Sequence, residues 1–199
     1  LIEWHFLANT GAALASGRNP RVILVTSAGV GEGKSYVAHH LTANFALDPH
    51  AEITLIDANF ENPALGTSSW MGGASSGPGL LDYLDSSGVD STSIVKSTGL
   101  NNVKVILAGG ARENSPELLA NGRLEQLLST RSGNYAYVII DAGAVLSNGG
   151  AAILARYAGQ IAFVVAANTT SRSNIIHGLA TLDRIAGSID EKSIGLIFN

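Results

Sequence analysis

Residues 21–35 read Arg-Val-Ile-Leu-Val-Thr-Ser-Ala-Gly-Val-Gly-Glu-Gly-Lys-Ser, and this stretch changes character twice. Residues 21–27 (RVILVTS) are a short apolar run rich in β-branched side chains, bounded by Pro20 and a glycine cluster. That is the pattern of a strand buried on both faces of a parallel sheet. Residues 34–47 have helical character and stop before Asp48-Pro49. Between strand and helix stand Gly29, Gly31 and Gly33.

A strand, a glycine loop ending in Gly-Lys-Ser and a helix together match the phosphate-binding loop pattern of Gly, four residues, Gly-Lys-Ser/Thr. Ala28 occupies the first Gly position; Gly33, Lys34 and Ser35 fit. Glycines allow the backbone to curl so that successive amides face phosphate oxygens. The helix that follows adds the partial positive charge of its N-terminus. Lys34 is placed to reach the β- and γ-phosphates, and Ser35 to put its hydroxyl on Mg²⁺. The expected nucleotide contacts are therefore Gly29, Val30, Gly31, Glu32, Gly33, Lys34, Ser35 and Tyr36, with ATP or ADP and Mg²⁺ as the bound species.

Outward from this loop, strand-like and helix-like segments alternate. Strands are expected at residues 52–57 (EITLID), 103–107, 136–141 (AYVIID), 161–166 and 193–198, and helices at 80–84, 115–130, 148–157 and 171–186. Residues 60–79, rich in Gly, Ser and Asn, read as loop. The alternation predicts an α/β P-loop fold: a mostly parallel central sheet with helices on both faces. Residues 21–199 form that domain, after a helical lead-in over residues 1–20. Ligands of such sheets bind beyond the carboxyl ends of the strands.

Two acidic residues are expected there. Asp141 closes an apolar strand beside the loop, either holding Mg²⁺ through water or capping the next helix. Asp57 closes another, and could orient a nucleophile, act as a base, join the metal shell or anchor a turn. His39 and His40 read as ordinary helix residues, since no partner shows metal-ligand spacing.

Composition narrows the classes. The chain has 199 residues, 46% hydrophobic and 14% charged, which suits a globular domain. Its net charge of −4 argues against a general nucleic-acid binder. The absence of cysteine removes thiol and cysteine–metal chemistry and fits a reducing compartment. No run approaches the ~20 apolar residues of a membrane span, and Leu1-Ile2-Glu3-Trp4-His5 does not open a signal peptide. The chain starts without Met and ends on a strand-like run, so a longer parent protein is expected.

These residues resemble the bacterial tyrosine kinases of capsule and exopolysaccharide biosynthesis, which share a P-loop class with septum-site and plasmid-partition ATPases. The resemblance spans about residues 20–199. It rests on Val22-Ile23-Leu24-Val25-Thr26-Ser27 before Gly31-Glu32-Gly33-Lys34-Ser35, and on Leu55-Ile56-Asp57-Ala58-Asn59 through Pro63 as the second acidic segment. Gly79-Leu80-Leu81-Asp82-Tyr83-Leu84, Ala108-Gly109-Gly110, Pro116-Glu117-Leu118-Leu119 and the strand ending at Asp141 are similar to later landmarks.

The resemblance implies phosphoryl transfer from Mg–ATP to tyrosine, with Lys34, Asp57 and Asp141 catalytic and Ser35, Asp141 and Asn59 around the metal. It further implies that Asn199 lies near the base. It also implies a cytoplasmic domain recruited to the inner membrane by a chain-length (polysaccharide co-polymerase) protein, with homo-oligomers allowed. The chain departs from the family at several positions. Val30 replaces a usual Pro, Asn59 a usual Asp, and Glu61 and Asn62 usual basic residues; Asp141-Ala142-Gly143-Ala144 replaces Asp-Thr-Pro-Pro. No tyrosine-rich tail is present in this sequence. A non-catalytic nucleotide-dependent scaffold is therefore the alternative to a kinase. An ATPase switch of the partition type ranks third, because that class has an additional Lys early in the loop and Ala28-Gly29 offers none.

Overall fold

The computed structural model describes residues 19–67, 77–85, 88–110, 115–134, 137–186 and 193–199. The expected lead-in over residues 1–18, Trp70 and Tyr135 lie outside them. In chain order the elements are β1 (Asn19–Ser27), α1 (Lys34–Phe45), β2 (Ile53–Ala58), a 3-10 turn (Leu65–Thr67), α2 (Leu80–Asp85), β3 (Val95–Ser97) and β4 (Val103–Ile106). They continue with α3 (Ser115–Leu119), α4 (Arg123–Asn134), β5 (Tyr137–Ala144), α5 (Val145–Asn148), α6 (Gly150–Leu154), β6 (Ala158–Val165), α7 (Arg172–Ala186) and β7 (Ser193–Phe198).

The seven strands form one sheet in the order β3-β4-β2-β5-β1-β6-β7, parallel except for β3, which runs antiparallel to β4. The apolar strands sit in the middle because both their faces must be covered. Successive residues of β1 alternate between two cores. Ile23 and Val25 pack under α1 with Val37, Ala38 and Leu41. Val22 and Leu24 join Leu84, Leu119, Leu127, Leu154, Phe163 and Leu182 on the opposite face, under the remaining longer helices. Close approach there depends on Gly178, where a Cβ would lie 2.9 Å from Cζ of Phe163. From β1 the chain crosses to β2 on one side, and from β5 to β6 on the other. The carboxyl ends of β1 and β5 therefore lie where the strand order reverses, the usual ligand crevice of an open α/β sheet.

Several boundaries differ from expectation. β1 begins at Asn19, inside the expected lead-in. β3 was not legible: three residues, Val-Lys-Ser, are too short and too polar to show a period, and only pairing with β4 makes them a strand. The expected helix 115–130 is two helices, separated at Gly122, whose φ of 78° cannot continue a right-handed helix. The expected helix 148–157 starts at Val145, breaks at Gly149 (φ 74°) and ends at Leu154. Helix α1 stops at Phe45, and Asn102 Nδ2 donates to the carbonyls of Ala46, Asp48 and Ala51 just beyond it. β6 starts three residues early, at Ala158. β5 runs past Asp141 to Ala144, because Ser27 pairs with Ala144 and Thr26 Oγ1 donates to the Gly143 carbonyl at 2.8 Å. Asp141 is thus inside its strand rather than at its end.

Candidate functional site

The loop between β1 and α1 turns on two left-handed glycines, Gly31 (φ 79°) and Gly33 (φ 92°). Gly33 is also the N-cap of α1, and no side chain caps that helix. Its first turn carries no acidic residue either. The first amides of α1 therefore stay unclaimed by any capping side chain, which is what an anion-binding helix start requires.

Lys34 is buried, and its Nζ donates to the Gly29 carbonyl at 3.2 Å. Burial lowers its pKa, while Asp141, Glu32 and Glu61 act to keep it charged. Val30, Gly31, Gly33, Lys34, Ser35, Tyr36, Asn59, Glu61, Asn62, Ala64 and Ala144 line an open cleft of about 540 Å³ over the loop. A volume of that size is in the range of small-ligand sites.

Two carboxylates stand at the floor. Asp57 and Asp141 are register partners on β2 and β5, and both are buried. Asp57 Oδ1 accepts from the Asn59 amide at 3.1 Å and Oδ2 from the Leu65 amide at 3.2 Å. Burial nevertheless pushes its pKa up to about 6, the amides of Leu65, Asn59 and Ala64 working against the rise. Neither oxygen of Asp141 has a well-formed hydrogen bond. Burial pushes its pKa up to about 7. The Ser35 hydroxyl pulls it down, the Asp57 charge adds to the rise, and Lys34 offsets part of it.

Glu32, Thr170 and Asn199 complete the loop's setting. Thr170 Oγ1 donates to Glu32 Oε1 at 2.7 Å. Asn199 Nδ2 donates to the Glu32 carbonyl at 3.3 Å and packs so closely on Gly33 that a Cβ there would collide with it. The expected contact residues from Gly29 to Tyr36 thus form one loop and helix start. Lys34, Ser35 and Asn59 line the cleft; Asp141 is buried behind Ser35 with Asp57 next to it, and these two, like Gly29 and Glu32, do not line it. Asn199 meets the loop from the β7 side and does not line the cleft. Thr170 was missed by sequence reasoning: it reaches Glu32 across 138 positions, and only the pairing of β6 with β1 signals that proximity. Glu61, Asn62 and Ala144 were not expected among the lining residues.

A carboxylate with two bare buried oxygens beside a P-loop serine suits a hydrated Mg²⁺ held jointly with phosphate oxygens. Among the described residues no group of three or more His, Asp or Glu could hold a metal without such help. No described helix is long and apolar enough to cross a membrane.

Loop, strand order and floor carboxylate define a P-loop nucleotide-binding domain of the mostly parallel α/β kind. Its homologues are bacterial tyrosine kinases. The chain is 28% identical over 163 residues to the tyrosine-protein kinase wzc of Salmonella typhimurium, across 82% of this chain and 22% of that protein. It is 27% identical over 185 residues to the tyrosine-protein kinase CpsD of Streptococcus agalactiae, across 92% of this chain and 76% of that protein. The kinase domain of the Escherichia coli tyrosine kinase ETK superposes with a TM-score of 0.77 at 26% identity, over 90% of this chain and 67% of that one. The septum site-determining protein MinD of Pyrococcus horikoshii, complexed with Mg-ADP, shares the fold (TM-score 0.67, 18% identity, 90% of this chain and 70% of that one). No protein-family model matches the chain. It spans about a fifth of the length of the Salmonella relative.

Proposed function

We propose that this domain binds Mg–ATP in the cleft over residues 28–35 and transfers the γ-phosphoryl group to tyrosine hydroxyls, in regulation of exopolysaccharide or capsule export. The observation that carries the reading is the uncapped, glycine-turned start of α1 with a buried lysine beside the buried carboxylate of Asp141. Main-chain amides of residues 29–35 cradle the β- and γ-phosphates, and Lys34 leaves the Gly29 carbonyl for a phosphate oxygen. Ser35 and Asp141, with the Asn59 carbonyl nearby, would hold Mg²⁺, which neutralises charge building on the phosphoryl oxygens when bound. Asp57 would accept the proton of a tyrosine hydroxyl entering past Asn59 and Glu61. A membrane chain-length protein is the partner proposed to bring the domain to the inner face of the membrane.

A second reading rests on one observation: both oxygens of Asp57 are already engaged by loop amides. Asp57 is then an anchor for residues 59–65, and the domain is a nucleotide-dependent scaffold without transfer chemistry. Incubation with γ-labelled ATP and Mg²⁺ decides between them. The kinase reading expects label retained on tyrosine. Free labelled phosphate without labelled protein supports an ATPase switch, and nucleotide-dependent stabilisation with neither supports the scaffold.

A further inference from the structure

The phosphate loop is tied down at one side chain that faces away from the cleft. Val30 and Gly31 are exposed, but Glu32 turns inward and is buried. It is flanked by Gly31 and Gly33, which both hold positive φ angles that the lack of a Cβ permits. Two hydrogen bonds meet on Glu32. Its Oε1 accepts from Thr170 Oγ1 at 2.7 Å and lies 3.3 Å from where a Cβ on Gly29 would be. Its carbonyl accepts from Asn199 Nδ2. Its Oε2 is buried with no hydrogen-bond partner. Thr170 is itself fixed, since its Oγ1 accepts from the Ala166 amide at 3.0 Å and its amide donates to the Ala166 carbonyl. Asn199 is fixed by backbone bonds to Val165 and Ala167.

We propose that the Thr170–Glu32 hydrogen bond is a latch by which the turn between β6 and α7 holds the phosphate loop in its binding conformation, making Glu32 and Thr170 positioning residues for nucleotide. The inference rests on the nucleotide-binding reading above and does not depend on phosphoryl transfer. A peptide between two left-handed glycines can turn over at little steric cost, which would point an amide away from the phosphates. A buried carboxylate with one partner has few other places to go, because leaving that partner leaves the carboxylate both desolvated and unpaired. The hydrogen bond to Thr170 therefore selects one orientation of residues 31–33 before ligand arrives, and less ordering remains to be done on binding.

The test is titration calorimetry of the whole chain with ATP and Mg²⁺. Thr170→Val removes the hydroxyl at nearly constant shape, and roughly tenfold weaker binding is expected, the size of one hydrogen bond to a charged group. Thr170→Ser is expected to restore binding to within about twofold of the parent, which a simple packing role for the Thr170 methyl would not produce. In a Glu32→Ala background, Thr170→Val is expected to add almost nothing, since the two residues act through one bond. Unchanged affinity in Thr170→Val, or penalties that multiply in the double variant, would overturn the latch while leaving the nucleotide site intact. A parent chain that binds no ATP would overturn both.

Discussion

Asp57 and Asp141 face each other across one pair of strands, equally out of water, yet their surroundings are opposites. The β2 aspartate is saturated: the chain after it curls back so that the amides of Asn59 and Leu65 meet its two oxygens. The β5 aspartate is nearly bare: its strand continues straight to Ala144, no backbone amide curls back onto it, and among the described residues only the Ser35 hydroxyl approaches it, short of a well-formed hydrogen bond. Burying an unpaired carboxylate is costly. A fold that keeps one beside a lysine and a P-loop serine holds it ready for something that arrives later, whereas a carboxylate clasped by amides is serving the loop that clasps it.

The largest effect expected from this contrast is a difference of sign in the ligand-free protein. Asp57→Ala leaves two buried amides unpaired and should lower unfolding free energy by about 2–3 kcal/mol in urea titrations. Asp141→Asn removes a charge that the folded state desolvates, and should raise rather than lower stability at pH 7 in EDTA. Destabilisation by both substitutions would erase the distinction between anchor and open ligand.

A pH series sharpens the same contrast. Both carboxyls hold their protons to higher pH when folded, to about 6 for Asp57 and about 7 for Asp141, against an ordinary 3.8. The folded state therefore binds more protons than the unfolded one between about pH 4 and 7, and unfolding free energy falls as pH rises through that window. In Asp141→Asn the decline should be shallower and should flatten above about pH 6, the midpoint of Asp57; a slope near pH 7 as steep as the parent's would remove Asp141 as its source. At the small end, Val30 stands at the mouth of the cleft, 70% exposed. Val30→Ser should move stability by less than about 0.5 kcal/mol, as exposed positions generally do.

How much of this was legible in the sequence depended on the range of the interactions. Residues 27–35 announce themselves because phosphate binding is built from consecutive amides, so the motif is contiguous and its residue types are dictated locally. The parallel sheet was legible because buried strands such as Leu55-Ile56 and Val138-Ile139-Ile140 are apolar on both faces. β3 was not, since Val95-Lys96-Ser97 is a strand only by virtue of β4. The helix breaks at Gly122 and Gly149 are carried by backbone angles that a glycine permits but does not require. Asp57 and Asp141 looked alike as acids following apolar runs; what separates them is the path of the next few residues, and that is set by tertiary pairing such as Thr26 with Gly143. Thr170 carries no local signal at all, because its partner is brought to it by the crossover from β6.

Titration calorimetry of the parent chain and Lys34→Ala with ATP, each with Mg²⁺ and with EDTA, tests the central claim most directly. Occupancy of the loop at ~100 times the dissociation constant is worth about 2.7 kcal/mol of stability, and among the described residues Lys34 is the one cation lining the cleft. The account predicts binding by the parent that strengthens with Mg²⁺ and is largely lost in Lys34→Ala. Parental affinity retained in Lys34→Ala would contradict it.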